Sequence, residues 1–260
     1  MMQFSIVEQL ALAVFLLSGI SFFLYHLLIR LKIVLKGKSN FSVDELPKRI
    51  KRVFDEVILH KKVASGKRKS AGILHALVMY GFIFFGLITI NHFGMAFGLP
   101  IFSDSIRHTY FLFFGAPWAI LCSIGILGLA YRRFVIKPEA LGKFSSTSAI
   151  VSVFIVTLMV TYLIDEFHIL SGTAEKFNWW LHSGVIGGFL FLIPQSKHMH
   201  LVLSPFNIFL RPFEVPSHGA IPIDMEASEE ELDNLLLDLS RLSKDQALDI
   251  FTCVECGRCT

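Results

Sequence analysis

Apolar residues run along this chain in long blocks rather than in alternation. Five blocks are long enough to cross a bilayer as helices, at about 8–31, 71–95, 109–131, 147–170 and 178–203. Polar residues gather between them in two kinds of loop. The stretch from Arg30 to Lys69 carries thirteen Lys/Arg against four acids, and the loop from Arg132 to Lys143 carries four more basic residues. The stretches 96–107 and 171–177 hold one basic residue each. Lys/Arg-rich loops stay in the cytoplasm. The pattern therefore predicts an outside N-terminus, an inside first long loop and a cytoplasmic C-terminus, in a multi-pass protein of the inner (cytoplasmic) cell membrane.

The first basic loop has a pattern of its own. In "SVDELPKRIKRVFDEVILHKK", about 42–62, Ser42 and Glu45 form a capping-box pair. Ile50, Val53, Phe54, Val57 and Ile58 then recur at one face of a helix whose opposite face is basic. Two readings are open: a helix lying on the lipid headgroups, or a docking surface for the rest of an enzyme. After the last block, the tail is soluble in character. Ser228 and Ser243, each followed three residues on by Glu or Gln, predict two short helices leading to "FTCVECGRCT".

Composition agrees with the blocks. Of 260 residues, 53% are hydrophobic and only 17% charged, with 26 Phe, and the mean hydropathy is +0.61. Soluble domains rarely look like this. No secretory-signal pattern opens the chain, and no nucleic-acid partner is expected. The fold class is all-α: a polytopic membrane protein of five transmembrane helices, followed by a cytoplasmic tail.

Histidine and cysteine carry the candidate chemistry. Ionisable groups inside a bilayer are costly, so each asks for a reason. Of ten histidines, His75, His92, His168, His182, His198 and His200 lie in or beside the blocks. On a continuous fifth helix, His182 and His200 are eighteen residues apart. At about 3.6 residues per turn they share one face, about 27 Å apart along the axis. Two b-type haems, one per leaflet, need that arrangement. His75 and His92, at the two ends of block two, match their depths. Pro194 is able to kink the helix and exchange His200 for His198, and His168 competes with His92. Gly81, Gly86, Gly184, Gly187 and Gly188 leave room for a macrocycle or for another helix. Glu8, Asp165 and Glu166 are candidate proton relays. Cys253, Cys256 and Cys259 stand at the C-x₂-C-x₂-C spacing of ferredoxins. A partial zinc site is the rival, but no second C-x₂-C or histidine pair follows.

"SAGILHALVMYGFIFFGLITI", "YRRFVIKPEALGK", "LIPQSKHMHLVLSPFNIFLRP" and "FTCVECGRCT", in this order, resemble a family of membrane-bound iron–sulfur oxidoreductases. Its N-terminal half is similar to the gamma subunit of nitrate reductase and its C-terminal half to heterodisulfide reductase. Some members look like electron-transfer-flavoprotein:menaquinone oxidoreductases. The resemblance implies a dihaem cytochrome b domain over 1–210, and over 211–260 a linker and the start of a [4Fe–4S] ferredoxin-type domain. It implies two haem b, iron–sulfur clusters, quinone as substrate, and a soluble partner such as an electron-transfer flavoprotein or another iron–sulfur subunit. His75, His182 and His200 match its haem histidines; His92 departs from the pattern of many members. The alternatives are a gamma-like subunit serving a separate catalytic subunit, and a non-redox transporter or anchor. Because the run stops at Thr260 before a fourth cysteine, an N-terminal fragment, a truncated reading frame or one piece of a split protein is expected.

Overall fold

The computed structural model describes residues 4–37, 43–65, 69–142, 144–213 and 242–254. It is 83% helical, with no strand among those residues. Four helical segments are long and apolar enough to cross a membrane: Ile6–Lys36, Lys69–Ala96, Ser105–Ile136 and Ser146–Glu166. They correspond to the first four sequence blocks. The chain divides into two compact units.

The first unit takes in residues 4–21 and 63–191 of the described chain. Helix α1 (Ile6–Lys36) contributes its first half. The third membrane-length segment is not a single regular helix. It runs through a short α-helix (Asp104–Tyr110), a π turn (Phe111–Gly115), an α-helix (Ala116–Tyr131) and a second π turn (Arg132–Ile136). The first π turn precedes Pro117, whose ring would clash with the carbonyl four residues back; the wider turn absorbs that conflict. The segment stops where Lys137 turns left-handed, at φ 49°, before Pro138.

Helix Ala116–Tyr131 packs against both Lys69–Ala96 and Ser146–Glu166. Its core contacts are Phe111, Ala119, Cys122, Met159 and Tyr162. Backbones approach closely at Gly125, where an added Cβ would lie 2.7 Å from the Leu74 carbonyl oxygen. Gly81 likewise faces Cys122, Gly187 faces Phe15 and Gly188 faces Phe154. These glycines admit neighbouring helices, whereas Gly86 and Gly184 face open space. Elsewhere the long helices turn Leu10, Val14, Leu17, Phe82, Ile83, Leu87, Ile120, Ile124, Leu127 and Val153 outward. Such continuous exposed apolar surface suits lipid and not water.

The fifth block departs from expectation. Helix Thr173–Leu192 ends early, and two 3₁₀ turns, Ile193–Gln195 and Lys197–Met199, separate it from helix His200–Leu210. Thr173–Leu192 is also not among the helices apolar enough to span, since Glu175, Lys176, Asn178, His182 and Ser183 lie along it. Pro194 cannot donate to the helical ladder, and Ser196 is extended at φ −131°, ψ 170°. The continuous helix assumed for the His182–His200 phase argument is therefore broken.

The second unit takes in 22–62 and the described residues from 192 to 254. A 3₁₀ turn (Val43–Glu45) leads into α2 (Leu46–Val53), which continues as a π turn (Phe54–Ile58). Ser42 lies outside the described residues. Glu45, the expected capping partner, instead sits at the N-cap without a side-chain cap bond and pairs with Arg49 at 2.6 Å. Arg49 is 1% exposed. It donates to the Phe209 and Arg211 carbonyls at 2.7 and 3.3 Å, and Arg52 also donates to the Arg211 carbonyl. Two cations thus close the C-terminal end of helix His200–Leu210, where carbonyls lack helical partners.

The last described helix, Lys244–Thr252, starts with the expected capping box of Ser243 and Gln246. It packs on helix His200–Leu210, where the Asn207 amide donates to Asp249 and Thr252 at 2.7 and 2.8 Å. The companion helix expected at Ser228 lies outside the described residues.

Candidate functional site

One end of the first unit holds a cavity of about 320 Å³. Its walls come from Lys69–Ala96 (Asn91, His92), Ser146–Glu166 (Thr161, Asp165, Glu166) and Thr173–Leu192 (Asn178, Trp179, His182), with Arg107 and Tyr110 from the segment between. Three of the polar residues that make Thr173–Leu192 a poor membrane span, Glu175, Asn178 and His182, line this space.

His92 and His182 meet there. Their ring centres are 5.0 Å apart, with planes inclined at 54°. Each ring is fixed by a hydroxyl from a neighbouring helix. His182 Nδ1 lies 2.7 Å from Thr161 Oγ1, and His92 Nε2 lies 2.9 Å from Ser183 Oγ. Trp179 stacks on His92 with centres 4.6 Å apart and planes 14° from parallel.

The Thr161 hydroxyl assigns a tautomer. It lies 2.7 Å from the Thr157 carbonyl, which only accepts. With its one proton directed there, Oγ1 becomes the acceptor for His182 Nδ1–H, which puts the ring's lone pair on Nε2. Asn178 donates to the Thr161 carbonyl at 2.9 Å, tying the two helices at the same level. Asn91 braces the other wall, its Oδ1 accepting from the Ile101 and Phe102 amides at 2.9 and 3.0 Å.

Of the candidate relay carboxylates, Asp165 and Glu166 line the cavity and Glu8 does not. Glu166 pairs with Arg107 at 2.8 Å. Glu8, the third candidate relay, pairs with Lys176 at 2.7 Å and accepts from Ser5. His168 lines the cavity but is exposed, at a left-handed φ of 52° just past Glu166.

In the second unit, His200 Nδ1 lies 2.9 Å from the Lys197 carbonyl. A carbonyl cannot donate, so Nδ1 carries the proton and the lone pair again falls on Nε2. His198 Nδ1 lies 3.2 Å from Ser196 Oγ, and the His198 and His200 rings are 6.2 Å apart. His75 is half-buried on Lys69–Ala96, in the first unit. Cys253 is exposed just past the end of its helix. Cys256 and Cys259 lie outside the described residues. Among the described residues, no three His, Cys, Asp or Glu side chains are grouped as a metal site would need.

This donor chemistry suits bis-imidazole ligation of an iron in part. His182 and His200 hold the tautomer that a metal ligand uses, each with an Nδ1 acceptor behind it. His92 stands next to His182 but commits Nε2 to Ser183, so ligation through that atom requires the bond to be exchanged. Sequence reading singled out the histidines and missed Thr161, Ser183, Asn178 and Trp179. The signal that bears on them is the run of polar residues on an otherwise apolar helix.

No protein-family model matches the chain, and no solved structure matches it. Two curated proteins are similar to it. One is the probable iron-sulfur-binding oxidoreductase FadF of Bacillus subtilis (strain 168), 28% identical across 99% of this chain and 40% of the relative. Another is the EtfAB:quinone oxidoreductase of Syntrophomonas wolfei subsp. wolfei, 23% identical across 95% of this chain and 39% of the relative. The chain thus spans about two fifths of the length of the curated relatives it matches. Both relatives are oxidoreductases by name, and the similarity to each runs over nearly all of this chain rather than over one motif.

Proposed function

We propose that this chain is the membrane electron-transfer portion of an iron–sulfur oxidoreductase, linking the quinone pool to cytoplasmic iron–sulfur centres through two b-type haems. The observation that carries the reading is the His92–His182 pair, set between apolar helices in a chain similar over nearly its full length to two oxidoreductases. A haem with two imidazole ligands supplies a one-electron couple that does not bind substrate at the iron.

The chain's residues then have definite tasks. His182 and His92 would hold the outer haem, and the sequence pattern alone assigns His200 and His75 to the cytoplasmic one. Thr161 and the Lys197 carbonyl keep Nδ1 protonated and the rings oriented, leaving the Nε2 lone pair as the one that would ligate iron. Helix Lys244–Thr252 presents Cys253 on the cytoplasmic side. Cys253, Cys256 and Cys259 supply three thiolates of a [4Fe–4S] cluster, whose usual complement is four. The name of the second relative supports quinone and an electron-transfer flavoprotein as the membrane and soluble partners. An outside N-terminus and a cytoplasmic tail follow from the Lys/Arg asymmetry.

Haem analysis of membranes containing single-histidine variants tests this. His182→Ala and His200→Ala should each remove one haem and leave the other. Unchanged haem content in both would refute the assignment.

A further inference from the structure

The segment Leu46–Ile58 has an outer face that the electron-transfer reading does not use. Ile50, Phe54 and Ile58 are exposed, at 57%, 52% and 39%, and Pro47 and Val43 extend the same stripe. The basic face does not point uniformly to water, as a simple amphipathic helix would have it. Arg49 and Arg52 turn inward onto the end of helix His200–Leu210, while Lys48 and Lys51 remain exposed beside the apolar stripe. We propose that Leu46–Ile58 is an interfacial anchor that inserts Pro47, Ile50, Phe54 and Ile58 into a leaflet of anionic lipid and thereby fixes the C-terminal end of helix His200–Leu210.

Three observations favour lipid as the occupant. First, the segment lies in sequence between two membrane-length helices, Ile6–Lys36 and Lys69–Ala96. The linkers on either side are about ten residues long, a reach of at most about 35 Å each. Second, residues 43–62 carry six Lys/Arg against four acids, and three of the acids are already engaged. Glu45 pairs with Arg49, Asp55 with Lys51 and Lys61, and Glu56 with Arg211. The Lys51 and Lys61 side chains are 75% and 60% exposed. Such exposed pairs are weak and exchange readily onto phosphate. Third, the apolar stripe is one side chain wide. That suits insertion at the headgroup boundary, flanked by snorkelling lysines.

The inward arginines give the anchor a consequence. Helix His200–Leu210 carries Asn207, which holds Asp249 and Thr252 of the helix ending at Cys253. Seating the stripe therefore steadies the ladder of contacts that leads to the first cysteine. The proposal rests only on the chain lying in a membrane and not on the haems.

The test uses the full chain in nanodiscs of phosphatidylcholine, with or without phosphatidylglycerol. In protein labelled with 5-fluorotryptophan, Phe54→Trp adds one fluorine resonance to those of the three native tryptophans; Ile58→Trp serves if the first variant does not fold. The new resonance should be broadened several-fold more by doxyl-labelled lipid than by an aqueous gadolinium chelate. A tryptophan at the exposed Asp44 should show the reverse. Amide exchange over 207–211 should slow several-fold when phosphatidylglycerol is present, and Lys48→Gln with Lys51→Gln should abolish that difference. Broadening by gadolinium overturns the proposal. So does protection from both reagents, which would place a protein on the stripe. Exchange insensitive to phosphatidylglycerol removes the anionic lipid and the coupling to helix His200–Leu210.

Discussion

Thr161 and His182 are joined at 2.7 Å across two helices, with the threonine hydroxyl also on the Thr157 carbonyl. On the proposed haem assignment Thr161 is a positioning residue, which would act on the metal only through the imidazole. Thr161→Val should weaken retention of the outer haem by roughly 10–100-fold, the usual cost of losing such a partner. Thr161→Ser should restore it. The readout is haem retained after purification together with the midpoint potential of the outer haem. A merely structural role would change stability without moving that potential.

The neighbouring histidines separate the alternatives at each end. His92→Ala should lose the outer haem, whereas His168→Ala, at an exposed position past the helix end, should keep it. At the other end, His200→Ala should lose the cytoplasmic haem and His198→Ala should keep both. Pigment content of the four variants in the same membranes decides this. If His198→Ala loses a haem while His200→Ala keeps both, the inner ligand is His198.

These two ends were not equally legible in the sequence. The first four membrane-length helices followed directly from block length and hydropathy, because a bilayer demands both at once. The capping box at Ser243 was local chemistry and formed as read. The fifth block misled because average hydropathy hid Pro194 and the polar residues lining the cavity. The inferred in-phase spacing of His182 and His200 depended on a helix that breaks at Ser196. The His92–His182 pair brings together residues ninety apart in sequence, which periodicity along one helix does not report. Glu45 was read as a capping residue, but the buried Arg49 is a stronger claim on its carboxylate.

That buried arginine gives a stability prediction. Arg49→Met removes the charge and the bonds it makes to Glu45 and the Phe209 carbonyl, while Arg52 still donates to the Arg211 carbonyl. Only Arg49 of this pair is buried, Glu45 being 34% exposed, so the loss should cost about 1–3 kcal/mol. The double variant Arg49→Met/Glu45→Gln should recover part of it. Thermal unfolding in detergent, followed by circular dichroism, measures both; an unchanged midpoint in Arg49→Met would show that the contact contributes nothing.

Close helix packing in the first unit gives a second one. Gly125→Ala places a methyl 2.7 Å from a backbone oxygen, which cannot rotate away. The expected cost is about 1–3 kcal/mol. Gly86→Ala, with open space around it, should be neutral or slightly stabilising. Equal effects of the two substitutions in the same unfolding assay would contradict the packing described for helix Ala116–Tyr131.

Orientation is open to a reporter assay. A reporter active only in the cytoplasm should work when fused after Thr260 and fail when inserted near Thr173. The opposite pattern would invert the membrane topology and place Cys253 on the outer side.

The central claim is that apolar helices hold b-type haem between paired histidines, and the dithionite-reduced minus oxidised absorbance spectrum of membranes containing the chain tests it most directly. The account predicts a b-type spectrum with two haems per chain, falling to one in His182→Ala. A colourless protein, or a spectrum unchanged by His182→Ala, would contradict it.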